Sequence, residues 1–256
     1  MTLALKKYLK YLLVATTFFI AIGLIPSVQA DTLKVGIVKK APNYIKKDGH
    51  LSGFDVELAH KIGKQLNKSI KIKTYSSQQQ LINATKQHKV DLGLSIPKSA
   101  THSLHQSEPE LYIKNVLFGQ KNYSVKTLKN QPVGVLKNHF QASLINSLGM
   151  KAVTFSSTDS LITALKKGKI KAALLNQYQF NNYLTHHVNY DQLQNGNDHA
   201  EFKKIADVNI TAEQIVAISA NAKTTSQVSK ALHDLRINGE LTALSAKYYK
   251  HNYAYQ

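Results

Sequence analysis

Leu161-Ile-Thr-Ala-Leu-Lys-Lys-Gly-Lys-Ile-Lys-Ala-Ala-Leu-Leu-Asn176 decides how the chain is read. Leu161, Ile162 and Leu165 form the apolar tail of a helix, and Gly168 follows two lysines. A glycine just past the last apolar position, with cations in the last turn, is a helix stop. Ile170 to Leu175 is apolar apart from Lys171, which predicts a short parallel strand covered on both faces. The order repeats from Leu81: Leu81-Ile-Asn-Ala-Thr-Lys-Gln-His-Lys-Val-Asp-Leu-Gly-Leu-Ser95. The chain is therefore expected to build one helix-to-strand unit twice, ending on the small polar residues Ser95 and Asn176, which are offset by one in the alignment. Ligands of open α/β sheets bind outside the carboxyl ends of the strands. Two such ends facing each other predict a cleft between two lobes.

Working towards the N-terminus, strands are expected at Leu33–Ile37 and at Ile70–Thr74. Between them lie a loop, Lys39 to Tyr44, a turn at Asp48-Gly49, and a helix that begins at Gly53-Phe-Asp55 and carries Leu58, Ile62 and Leu66 at helical spacing. Asp55 and Glu57 fall in its first turn, where a carboxylate suits the helix dipole. Alternating strands and helices make the chain α/β. Residues 1–30 read as a secretory signal peptide: Lys6, Lys7 and Lys10, then the apolar run Leu12–Ile25, then Val28-Gln-Ala30 as a cleavage site. The apolar run is short for a membrane span. The exported product is expected to be periplasmic.

The chain has no cysteine, which excludes disulfides, thiolate metal sites and a cysteine nucleophile. Formal charge is +18. Residues 1–30 contain three lysines and no acid, so their removal leaves +15. Nucleic acid is not the expected partner, because the lysines are scattered and Arg236 is the sole arginine, whereas base and phosphate forks rely on arginine. A basic surface drawn to anionic envelope polymers fits better.

Several stretches, in this order, resemble the bacterial family 3 extracellular solute-binding proteins, periplasmic receptors of polar amino acid uptake. They are Leu33-Lys-Val-Gly-Ile37, Pro42-Asn-Tyr44, Leu51-Ser-Gly-Phe-Asp-Val-Glu-Leu-Ala59, Lys89-Val-Asp-Leu92, Ser107-Glu-Pro109 with Tyr112, Pro132-Val-Gly-Val135, and the 161–176 unit. Val228 to Leu241, Leu244 and Ala246-Lys-Tyr-Tyr249 complete the series. The resemblance implies an α/β, two-lobe periplasmic binding protein (type II) fold with two hinge crossings. Residues 31–117 would be the first part of lobe one, 118–212 lobe two, and 213–256 the rest of lobe one. It also implies a monomer without cofactor that closes its lobes on a small polar ligand, an amino acid or related compound, and delivers it to the permease of an ABC importer.

Family members that bind α-amino acids carry an arginine after the KVD strand for the ligand carboxylate, and an aspartate at the end of the lobe-two strand for the ammonium. Here those positions fall on Ala100 and Asn176. Losing both charges together is self-consistent, since either one alone and buried is costly, and it points to a neutral or differently charged ligand. The alternative is that Lys98 or backbone N–H groups hold a carboxylate while Asn176 accepts from an ammonium. Matched positions nominate Tyr44 as an aromatic wall, Gln78, Ser95, Lys98, Asn138 and His139 at a lobe-two helix start, and Asn176 with Gln177.

Two other readings stand beside this one. The protein would be a degenerate member acting as a sensor or envelope partner, or a cyclohexadienyl dehydratase-type enzyme on the same fold. The second would need a cleft acid that no lobe-two motif supplies. His102-x-x-His105 would share a helical face and His186-His187 are adjacent, but neither has a third ligand at metal-site spacing, so no metal is expected.

Overall fold

The computed structural model describes residues 31–137, 141–187, 202–205 and 212–255. Residues 32–256 form one compact unit, built on two five-stranded sheets. In the first sheet β1 (Thr32–Val38) lies between β4 (Ser69–Tyr75) and β5 (Leu92–Pro97), all parallel. Antiparallel β12 (Glu213–Ser219) and β6 (His105–Ile113) complete it. In the second, β10 (Ala172–Asn176) pairs in parallel with β8 (Pro132–Leu136) and antiparallel with β7 (Asn115–Gly119), and β9 (Lys151–Phe155) and β11 (Lys203–Lys204) form the edges. Around the Asp48-Gly49 turn, β2 (Ile45–Lys47) and β3 (His50–Ser52) make a small hairpin.

Each sheet is covered on both faces, which makes two lobes. On one face of the first, α1 (Phe54–Leu66), α6 (Ala222–Ile237) and α7 (Glu240–Tyr249) bury Val35, Ile37, Leu58, Ile62 and Leu232. On the other, α2 (Gln78–Lys86) buries Leu81 and Ile82 with Val90 and Ile218. In the second lobe, α4 (Thr158–Lys166) and α5 (Gln177–His187) cover one face around Phe118, and α3 (Gln141–Ser147) covers the other around Ile145.

The expected duplication is present residue for residue at its core. Ser77 and Ser157 cap α2 and α4, accepting from the backbone N–H three residues on. Gly36 pairs with Lys73, and Gly134 with Val153. A Cβ on Gly36 would run into Leu81, Tyr75 and Val90, and one on Gly134 into Leu161, Phe155 and Ile170, so each glycine lets the helix sit directly on the sheet. The left-handed residue that ends each helix turn is His88 in one copy and Gly168 in the other.

Some boundaries differ from expectation. The strands of the two units begin at Leu92 and Ala172, because the residues just after each helix belong to its closing turn. Val116–Phe118 lies within β7 of the second sheet, so the chain passes between sheets at Lys114. His102 and His105 share no helix: one lies in a bend and the other starts β6. The pair His186-His187 ends α5, and nothing is described of its side chains.

Candidate functional site

At the carboxyl end of β5 the chain turns sharply at Ser95, whose φ of 55° is left-handed, and a non-glycine residue there is uncommon. The turn aims both polar groups of Ser95 inward. Its N–H donates to Glu110 Oε2 of β6 at 3.1 Å, and its hydroxyl donates to Asp55 Oδ1 at 2.5 Å. Asn43 Nδ2 donates to Asp55 Oδ1 and to Ser95 Oγ, each at 2.8 Å. Tyr249 of α7 then donates its hydroxyl to Asn43 Oδ1 at 3.0 Å.

The local sequence explains the convergence. Gly53 has φ 124° and lies so close under Asn43 that a Cβ would strike the Asn43 carbonyl. Phe54 and Asp55 donate their N–H groups to the Pro42 and Asn43 carbonyls. The Gly-Phe-Asp stretch thus clamps the 42–44 loop to the start of α1 and turns Asp55 under it.

Asp55 and Glu110 are fully buried, and their hydrogen-bond partners among the described residues, Asn43 and Ser95, carry no positive charge. Burial pushes the Asp55 carboxyl up to about 7, opposed by the Ser95 and Asn43 bonds. Burial, followed by the neighbouring Asp55 charge, holds Glu110 well above the usual carboxylate range. Burial likewise raises the Tyr249 hydroxyl. Asp55 Oδ2 has no hydrogen-bond partner among the described residues, so it is the natural seat of a proton. Asp55 therefore does not act as an ionised first-turn carboxylate on the dipole. Glu57 does stay ionised: its carboxyl is lowered by bonds to Lys247 and Tyr248, which outweigh its partial burial.

In lobe two, Asn176 closes β10 and caps α5. Its Oδ1 accepts from Gln179 N–H at 2.8 Å, and its own N–H donates to Gln179 Oε1 at 3.2 Å. Because a backbone N–H needs an acceptor, this cap fixes the side-chain oxygen inward and leaves the Nδ2 donor outward. Gln177 donates from its backbone to Lys114 at the passage between sheets (2.7 Å) and from Nε2 to Asn181 Oδ1 (2.7 Å). The next residue, Tyr178, crosses to the first lobe and meets the Tyr249 ring edge-on, with centroids 5.3 Å apart. Contacts thus run from α5 through Tyr178, Tyr249 and Asn43 to Ser95, so the two strand ends face one cleft.

Of the residues nominated from sequence, Tyr44 is half-buried against the first lobe's core and Ser95 lies between Asn43, Asp55 and Glu110. Gln78 is the half-buried first residue of α2. Lys98 is exposed, and its ammonium donates to Gln214 Oε1 of β12 at 2.7 Å. Asn138 and His139 lie outside the described residues. Sequence reading missed Asn43, Glu110, Tyr178 and Tyr249 as site residues, and gave Asp55 only a helical role. Asn43, Asp55 and Tyr249 stand inside the resemblance motifs, so a signal was present. Glu110 had none, because only the β5–β6–β12 arrangement brings it under Ser95.

Comparison with known proteins agrees with this architecture. The chain belongs to the bacterial extracellular solute-binding proteins, family 3, matched over residues 33–251. That family consists of solute-binding proteins rather than enzymes. The arginine-binding extracellular protein ArtP of Bacillus subtilis is 26% identical over 219 residues, covering 81% of this chain and 82% of that protein. The probable ABC transporter arginine-binding protein ArtJ of Chlamydia trachomatis is 25% identical over 140 residues; the match spans 52% of this chain and about half (54%) of the relative. The L-cystine solute receptor of Neisseria gonorrhoeae, solved unliganded and open, superposes with a TM-score of 0.63 at 18% identity, covering 88% of this chain and 96% of that one. The fold is the two-lobe, type II periplasmic-binding-protein architecture.

Proposed function

We propose that the protein is a periplasmic receptor that closes its two lobes on a small polar solute and delivers it to the permease of an ABC importer. In this reading residues 1–30 are a cleaved signal peptide and the mature chain is a monomer. Residues 31–114 and 213–256 make lobe one, and 115–212 make lobe two. The matched family is extracellular, and both curated relatives are named for arginine.

The observation that carries the reading on ligand chemistry is the Asn176 cap. With Oδ1 held by Gln179 N–H, lobe two offers the cleft an amide donor where an ammonium would need an acceptor. On the other lobe, the Ser95 N–H and hydroxyl are already engaged by Glu110 and Asp55, and the Lys98 ammonium by Gln214. This favours a neutral polar solute, or one whose acceptor meets Asn176 and whose apolar part meets Tyr44 and Tyr178. It disfavours the usual zwitterion grip.

A thermal-shift panel of arginine, other amino acids, amines, sugars and small acids tests this. A true ligand at a hundredfold its Kd adds about 2.7 kcal/mol of stability. Arginine shifting the melting point most, undiminished by Asn176→Ala, would overturn the ligand reading. Silence across the panel would favour the second reading, a sensor or envelope partner of an anionic polymer. The charge of +18 speaks for that one.

A further inference from the structure

The net positive charge has a definite place on the first lobe. Lys34 of β1 stands directly opposite Lys71 of β4 in the parallel register, and Gly36 opposite Lys73. Side chains alternate along a strand. Gly36 faces Leu81 of α2, so Lys34, Lys71 and Lys73 share the α2 face, near the amino ends of the strands and away from Ser95. The turn after α2 adds Lys86 and Lys89, both exposed, and Lys73 Nζ donates to the Lys89 carbonyl at 2.9 Å. Neighbouring carboxylates are few. Asp91 accepts from the Lys34 backbone N–H, and Asp31 precedes the strand. Elsewhere, exposed acids pair with other cations: Glu57 with Lys247, Glu240 with Lys61, Asp234 with Lys230 and Glu108 with Arg236.

Like charges directly opposite each other across strands are destabilising. One lysine on the edge strand β4 would be enough to discourage edge-to-edge pairing, but Lys34 sits on an interior strand and Lys86 and Lys89 on a turn. The equivalent face of lobe two lacks the opposition: Pro132 takes the place of Lys34, and Val153 that of Lys73. We infer that the Lys34–Lys71–Lys73–Lys86–Lys89 face is a docking surface for a linear polyanion carrying repeated phosphate groups, leaving the cleft free. Neighbouring strands stand ~4.8 Å apart and alternate residues ~6.6 Å apart, so a chain with one phosphate every ~5–7 Å meets a cation at each step. The inference builds on the envelope location proposed above, but not on the identity of the cleft ligand.

The test is binding of linear polyphosphate to the mature protein at low and moderate salt, compared among three variants. Lys34→Gln/Lys71→Gln/Lys89→Gln is expected to weaken binding by roughly tenfold or more and to flatten its salt dependence. Lys34→Gln/Lys86→Gln/Lys89→Gln leaves the edge strand intact and should show a similar loss. Lys151→Gln/Lys167→Gln/Lys169→Gln removes the same charge from lobe two and should cost no more than about threefold. Equal losses from both lobes, or tighter binding to phosphatidylglycerol vesicles than to the polymer, would overturn the assignment. Thermal shifts by a cleft solute should survive all three variants, so failure here is separable from failure of the receptor reading.

Discussion

The two lobes carry the same helix-to-strand unit, yet the units end in different chemistry. In lobe one the strand runs into a left-handed Ser95 over two buried carboxyls, Asp55 and Glu110. In lobe two it runs into Asn176, whose side-chain oxygen caps the next helix. The shared part is the packing of a leucine over a glycine. The differing part is set by the segment after each strand: an antiparallel partner carrying Glu110 in one lobe, a helix start in the other. Duplication supplies two facing scaffolds, and the residues just beyond the repeat decide what each presents to the cleft.

The largest expected contrast is in pH. The folded Asp55 carboxyl titrates near 7 against an ordinary 3.8. Below about pH 4 both folded and unfolded chains hold the proton. Between about 4 and 7 the unfolded chain releases it first, so stability should fall as pH rises, by on the order of 4 kcal/mol. Glu110 acts in the same direction, and Glu57, with its lowered carboxyl, in the opposite one. Asp55→Asn keeps an oxygen for Ser95 and Asn43. The difference between it and the parent in urea unfolding at pH 4, 6 and 8 isolates the effect. A constant difference across that range would mean that the carboxyl is not buried under Ser95.

Next in size is the shared part. Leu81 and Leu161 are both fully buried at matching positions, so Leu81→Ala and Leu161→Ala should each cost about 2–5 kcal/mol. Widely unequal losses would show that the copies are not packed alike. Smaller still is the Asn176 cap, where Asn176→Ala should cost about 1 kcal/mol and Asn176→Asp much less, because aspartate also caps. Asn176→Asp would at the same time replace the outward donor with an acceptor, so solute preference should move towards ammonium compounds with little change in stability. Smallest is the pair Ser77→Ala and Ser157→Ala, each expected to lose roughly 0.5–1 kcal/mol in urea unfolding; equal effects would confirm the equivalence of the two helix starts.

Much of this was legible in the chain. The repeat at 81–95 and 161–176, the α/β order, and the missing arginine and aspartate come from periodicity, glycine placement and residue identity, which are local properties. Tyr44 and Ser95 could be named because each belongs to a short motif with a fixed place on its strand. The polarity of Asn176 could not be foreseen. Sequence identifies an amide, but only the first turn of α5 dictates which end of it faces outward. Glu110 was equally hidden, since a carboxylate on β6 reads as a surface residue until β5 is laid beside it. Residue identity and spacing are enough to establish the two scaffolds and the charges they lack. Which hydrogen-bonding groups remain free for a ligand is settled only in three dimensions, because burial and pairing depend on residues far apart in the chain, as Asn43, Asp55, Ser95, Glu110 and Tyr249 are.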